Sequence, residues 1–113
     1  MRINLYDETI SKLRAHDKTE SDIRWIGYKS HYIPMLLPLK TLFDYKYDNG
    51  YGIECVNQDL LVVGDDWWLE RHSYDGSEWW EYKTLPKMPD LSLSLEEGRS
   101  SIGDMYFDED DYE

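Results

Sequence analysis

The sequence predicts an α+β fold: a small antiparallel sheet built on a Trp-rich β-hairpin, with two short helices and an acidic C-terminal extension. Three observations carry this prediction. Two tryptophan doublets, Trp67-Trp68 and Trp79-Trp80, flank Tyr74-Asp75-Gly76, which is turn chemistry between two strand-forming runs. Two stretches in the first half place apolar side chains at helical spacing. The chain has 113 residues, enough for one core and too few for two. The elements therefore belong to a single domain, residues 1–88, followed by the extension 89–113.

Taken in order, Asp7 is the expected N-cap of a first helix running to about His16. Ile10, Leu13 and Arg14 fall at i, i+3 and i+4, and acidic residues open the first turn. Asp22 to Tyr28 and His31 to Ile33 read as extended, with β-branched and aromatic residues around Gly27. Pro38 suits the first position of a second helix, with Leu39, Leu42 and Phe43 on one face and an end near Asp48-Asn49-Gly50. Ile53 to Val56 and Leu60 to Val63 read as strands about an Asn57-Gln58-Asp59 turn, and Trp67 to Leu85 as the hairpin. Residues 91–104 are plain in composition and join body to tail. The sequence contains no internal repeat of useful period.

The hairpin admits two registers. A two-residue turn at Asp75-Gly76 sets Glu70 opposite Glu81, and like charges directly opposite are destabilising. A three-residue loop, Tyr74-Asp75-Gly76 with Gly76 left-handed, avoids that clash. It pairs His72 with Glu78, Arg71 with Trp79 and Trp68 with Tyr82: a charge pair, a cation–π contact of about 0.5–1 kcal/mol and an aromatic pair. This second register is the expected one. It places Trp68, Trp80, Tyr82 and Glu70 on one face and Trp67, Leu69, Trp79 and Arg71 on the other. One Trp pair then packs the core, and the other is covered by a helix or the tail, or is presented to a partner.

The stretch DDWWLERHSYDGSEWWEYKTLPKMP resembles the tryptophan-rich hairpin of small phage and prophage proteins of Gram-positive bacteria, for which no activity is established. The similarity extends more weakly through DIRWIGYKSHYIP and YKYDNGYG, so that it covers roughly residues 22–88. It implies a phage setting and carries over no functional residue. The tail beyond Met88 is outside it.

Charge excludes more than any motif does. The chain has 24 acidic and 12 basic residues, a net charge of -12. Residues 61–113 hold 15 acids and 4 bases, against 9 acids and 8 bases in residues 1–60. Affinity for nucleic acid and anionic membrane comes mostly from Lys and Arg, so neither is expected as a direct partner. One cysteine, Cys55, forms no internal disulfide, and MRINLYDETISKL lacks a secretion-signal pattern, so the cytoplasm is the expected compartment. The longest apolar runs, Ile33 to Leu39 and Leu60 to Val63, fall far short of the ~20 residues a membrane helix needs.

Catalytic chemistry is not expected, nor is a cofactor. There is no GxSxG, HExxH, CxxC, P-loop or dinucleotide fingerprint, and His16, His31 and His72 are far apart, with none placed for a metal face. Cys55, between Ile53 and Val56, reads as a small buried hydrophobe. Asp59, Asp65 and Asp66 have the charge for a divalent cation but lack alternating ligand positions and a glycine pivot, so they read as a solvated turn. Glu70-Arg71-His72 would suit acid–base work, but on a strand Arg71 points away from its neighbours, and the expected Glu78 pairing accounts for His72.

The tail DMYFDEDDYE is the sharpest functional signal: six of its ten residues are acids, with Met105, Tyr106 and Phe107 among them. Asp104, Tyr106, Phe107, Asp108, Glu109, Asp110, Asp111 and Glu113 are the expected partner-binding residues, with the carboxylates pairing Arg and Lys and the two aromatics as anchors. Trp68, Trp79 and Trp80 are secondary candidates, since Trp dominates interface hot spots. In size and charge the chain resembles anti-CRISPR and anti-restriction nucleic-acid mimics. That resemblance implies an inhibitor occupying the basic nucleic-acid-binding groove of a defence nuclease. Two other readings stay open: an immunity or antitoxin-like protein neutralising a basic toxin domain, and a phage structural or housekeeping protein self-associating through its Trp surface.

Overall fold

A computed structural model describes residues 2–48, 50 and 52–103. The chain runs β1 (Arg2–Asn4), α1 (Leu5–Ala15), a 3-10 turn (Glu20–Asp22), β2 (Trp25–Gly27), β3 (Tyr32–Ile33), α2 (Leu39–Leu42), β4 (Lys46–Asp48), β5 (Leu61–Val63), β6 (Trp67–Tyr74), β7 (Ser77–Thr84) and α3 (Leu95–Ile102). The fold is α+β. Five strands form an antiparallel sheet in the order β3-β2-β5-β6-β7, and β1 and β4 form a separate antiparallel pair.

The first helix begins earlier than its charge pattern suggests. Asn4, not Asp7, is the cap: its side-chain oxygen accepts from the N–H groups of Tyr6 and Asp7. Asn4 closes β1, paired with Lys46, and Leu5 N–H donates to Tyr45 O at 2.8 Å, so a strand contact 40 residues away sets where the helix starts. Leu13 and Thr9 of α1 are fully buried beneath the sheet beside Ile26, Val62, Leu69 and Trp80. The second helix is one turn long. Pro38 caps it rather than opening it, and the expected helical run to Asp48 gives way to β4, whose pairing with β1 offers the backbone a better set of partners.

Two further expectations change. Ile53 to Val56 is loop, not strand, and residues 95–102 are helix within a stretch that reads as a plain linker. The signal for α3 is the Ser94/Glu97 capping box: Ser94 Oγ accepts from Glu97 N–H at 3.1 Å, and Ser94 N–H donates to Glu97 Oε1 at 3.0 Å. α3 buries none of its residues: Leu95 and Ile102 are 82% and 85% exposed.

The hairpin takes the two-residue register. Tyr74 pairs with Ser77, His72 with Trp79, Arg71 with Trp80 and Glu70 with Glu81. Asp75 and Gly76 have φ of 53° and 87°, the two consecutive positive values of a type I′ turn, whose twist matches the flanking strands. This overturns the three-residue loop and its pairings. His72 does not meet Glu78, and Trp68 faces Lys83 instead of Tyr82. The inner face carries Trp67, Leu69, Arg71, Glu78, Trp80 and Tyr82, and the outer face Trp68, Glu70, His72, Trp79, Glu81 and Lys83. Trp80 therefore partners Trp67 in the core, and Trp68 shares a face with Trp79. At the β5–β6 turn the Trp67 indole lies so close over Gly64 that any side chain there would overlap it. Among the described residues, no helix is long and apolar enough to cross a membrane.

Candidate functional site

The outer face of β6 and β7 is built by a repeated spacing, Trp-x-Glu, on both strands. Residues two apart on a strand share a face, so Trp68 can reach Glu70 and Trp79 can reach Glu81. Trp68 Nε1 donates to Glu70 Oε1 at 2.7 Å and Trp79 Nε1 to Glu81 Oε2 at 2.6 Å. His72 Nε2 and Glu70 Oε2 lie 2.7 Å apart. The indole bond to Trp68, then the His72 contact, holds the Glu70 carboxyl below the ordinary range, and the indole bond to Trp79 does the same for Glu81. Both groups are ionised at neutral pH, the wrong state for a general acid and the right one for receiving a cation. Leu61, Val63 and Trp25 continue the same face across β5 and β2, all half-buried. The face thus offers two fixed carboxylates between two indoles, each able to meet a Lys or Arg by ion pair or cation–π contact.

No family model, curated protein or solved structure matches this chain.

Of the residues expected to bind a partner, Asp104, Tyr106, Phe107, Asp108, Glu109, Asp110, Asp111 and Glu113 lie outside the described residues. Trp68 and Trp79 are brought together on the outer face. Trp80 is not with them: it is 1% exposed, and its Nε1 donates to Thr9 Oγ1 at 2.9 Å, so it is core and drops out as a contact residue. Cys55 is exposed rather than buried, because residues 52–55 form loop and the inward position falls to Val56. Both carboxylate oxygens of Asp65 engage Arg24, at 2.8 and 3.0 Å, and the Asp59 N–H donates to Asn57 Oδ1 within a local turn. Among the described residues, no three His, Cys, Asp or Glu are grouped to hold a metal ion. The histidines stay apart: His16 stacks on Tyr82 with ring centres 3.8 Å apart, His31 contacts Ser30, and His72 contacts Glu70.

Sequence reasoning missed a second polar cluster, inside the fold. The Arg71 side chain is fully buried, 2.9 Å from Glu78 and 3.2 Å from Glu8, and its guanidinium donates to Tyr47 Oη at 3.0 Å. It lies 4.8 Å from the centre of the Trp80 ring, which replaces the expected contact with Trp79. Burial alone would lower the Arg71 pKa, but the Glu8 charge, with Tyr47 and Glu78, reverses the shift and raises it. Burial, then the bond to Glu8, raises the Tyr47 phenol. Glu78 in turn accepts the N–H groups of Cys55 and Val56. The cluster ties α1, β4, the hairpin and the 52–60 loop together, and its geometry is structural.

Proposed function

We propose that this chain is an acidic protein-binding inhibitor that occupies the basic nucleic-acid-binding groove of a defence nuclease, of anti-CRISPR or anti-restriction type, by nucleic-acid mimicry. The observation that carries the reading is the pair Glu70 and Glu81, ionised and facing each other on an open sheet face between Trp68 and Trp79. A pair of like charges that its indoles, His72 and Lys83 compensate only in part gains further free energy when a partner's Arg or Lys lies across it. The 15 acids of residues 61–113 extend the same field toward the C-terminus, where Tyr106 and Phe107 supply apolar anchors in an acidic run.

The test uses the full chain as bait in a host lysate at low and at high salt, followed by a cleavage assay on the captured protein. The expected partner is a nucleic-acid-binding nuclease, retained at low salt and released at high salt, because exposed ion pairs are screened over about 8 Å at physiological ionic strength. Its cleavage is blocked by the chain and restored by excess nucleic acid. Glu70→Gln with Glu81→Gln, and separately a chain ending at Gly103, should each bind more weakly. A captured nuclease that binds this protein and its nucleic acid simultaneously overturns the mimicry. A second reading, self-association, is favoured by two half-buried indoles on one sheet face; a sizing column that reports a dimer, lost in Trp68→Ala with Trp79→Ala, would establish it instead.

A further inference from the structure

A groove of about 710 Å³ lies at the opposite edge of the sheet from the hairpin and is lined by Trp25, Tyr28, Lys29, His31, Tyr32 and Met35 among others. None of its lining residues is acidic, in a chain with 24 acids, whereas each of the four other grooves described includes an Asp or Glu. Lys29 makes no ion pair among the described residues, and Tyr32 is 70% exposed. The volume falls in the range that seats a drug-sized ligand or a few peptide side chains. Arg24, also in the lining, is held by Asp65, so the groove offers an aromatic lining with the Lys29 ammonium, which fits a peptide that alternates aromatic and acidic residues.

We propose that the occupant is the chain's own C-terminal segment, residues 104–113, bound in cis. Its Met105, Tyr106, Phe107 and Tyr112 match the aromatic walls, and its acids complement Lys29 in a lining that holds no acid of its own. Reach permits it. The groove at β2–β3 is four strand spacings, roughly 19 Å, from β7, and the segment 86–103, which includes α3 (Leu95–Ile102), spans up to roughly 45 Å. Leu85 N–H, bonded to Asp66 O at 2.8 Å, is the last backbone tie to the body among the described residues, so 86–103 acts as a tether. Tethering holds the segment at an effective concentration of about millimolar, which favours cis over exchange between copies. The groove then parks the tail until a more basic partner takes it. That regulatory consequence rests on the inhibitor reading, whereas the docking itself does not.

A nitroxide on Glu113→Cys, in a Cys55→Ser background of the full chain, tests it by amide NMR. The expected result is loss of amide intensity at Lys29, His31 and Tyr32, with no loss at Glu70 and Glu81, and recovery when Lys29→Glu and His31→Glu are added. Both substituted positions are exposed, so the variant keeps its fold, as its unchanged remaining amide spectrum will show. Intensity lost elsewhere, lost nowhere, or lost equally in the charge-reversed variant overturns the proposal. So does broadening of an isotope-labelled, unspin-labelled copy mixed with an unlabelled spin-labelled one, which would assign the groove to a second copy. The nuclease assay uses neither Lys29 nor His31, so failure here leaves the inhibitor reading standing, and failure there leaves this one standing.

Discussion

Glu70 and Glu81 stand directly opposite each other across β6 and β7, and each is held by the indole N–H of the tryptophan two residues before it on its own strand. The arrangement answers the objection that like charges cannot face each other in a sheet. Each carboxylate is compensated along its own strand, and Lys83 lowers both further.

Removing an indole donor should therefore raise one carboxyl at a time. Trp68→Phe is expected to bring the Glu70 pKa back up toward its ordinary value, and Trp79→Phe that of Glu81, as read by carbon-13 NMR of the carboxyl groups. A folded pKa below the unfolded one contributes stability that is present above the unfolded carboxylate value of about 4.3 and is lost as pH falls through the folded pKa. The parent should thus lose more stability on acidification below pH ~4.3 than either variant.

The turn makes a conformational prediction. Gly76, at φ 87°, has room for a methyl group, with Gly52 backbone atoms 3.5 Å from the Cβ position. Gly76→Ala should still cost about 1 kcal/mol through left-handed strain alone. Asp75→Asn should stay within about 0.5 kcal/mol, since Asn tolerates the left-handed region. Thermal melts check both, and a strong loss in Asp75→Asn would count against the type I′ turn.

Breaking the buried cluster should be the most costly surface-neutral change in the chain. Glu78→Gln leaves a buried guanidinium short of charge and weakens the hold on Cys55 and Val56 N–H, and is expected to cost about 3–5 kcal/mol. Adding Arg71→Met should recover part of that loss rather than add to it, because the orphaned cation is gone. Urea unfolding of the two variants measures the difference.

A chain ending at Met88 should melt like one ending at Gly103. It loses α3, whose Leu95 and Ile102 are exposed, and none of the buried core. The expected change is within about 0.5 kcal/mol; a larger loss would place part of the core beyond residue 88.

Fold class, the strand assignment of the Trp-rich stretch and the acidic C-terminal half were legible because they depend on composition, turn residues and short-range period. The double Trp-x-Glu spacing and the Ser94/Glu97 capping box were equally local, and legible in principle. Everything else was decided by partners distant in sequence. Asn4 caps α1 because β1 is pinned to β4, and Cys55 is exposed because Glu78 holds the backbone of its loop. Arg71 is buried because Glu8, Tyr47 and Glu78 converge on it from three other elements. The hairpin register shows the division most plainly. Pairwise charge argued for the three-residue loop, but the gain from a type I′ turn and from burying Trp67, Leu69 and Trp80 on one face outweighs one like-charge contact that two indoles and a histidine already compensate. A one-residue slip of register exchanges faces for a whole strand, so only the packed sheet could decide which tryptophans are core and which are offered to a partner.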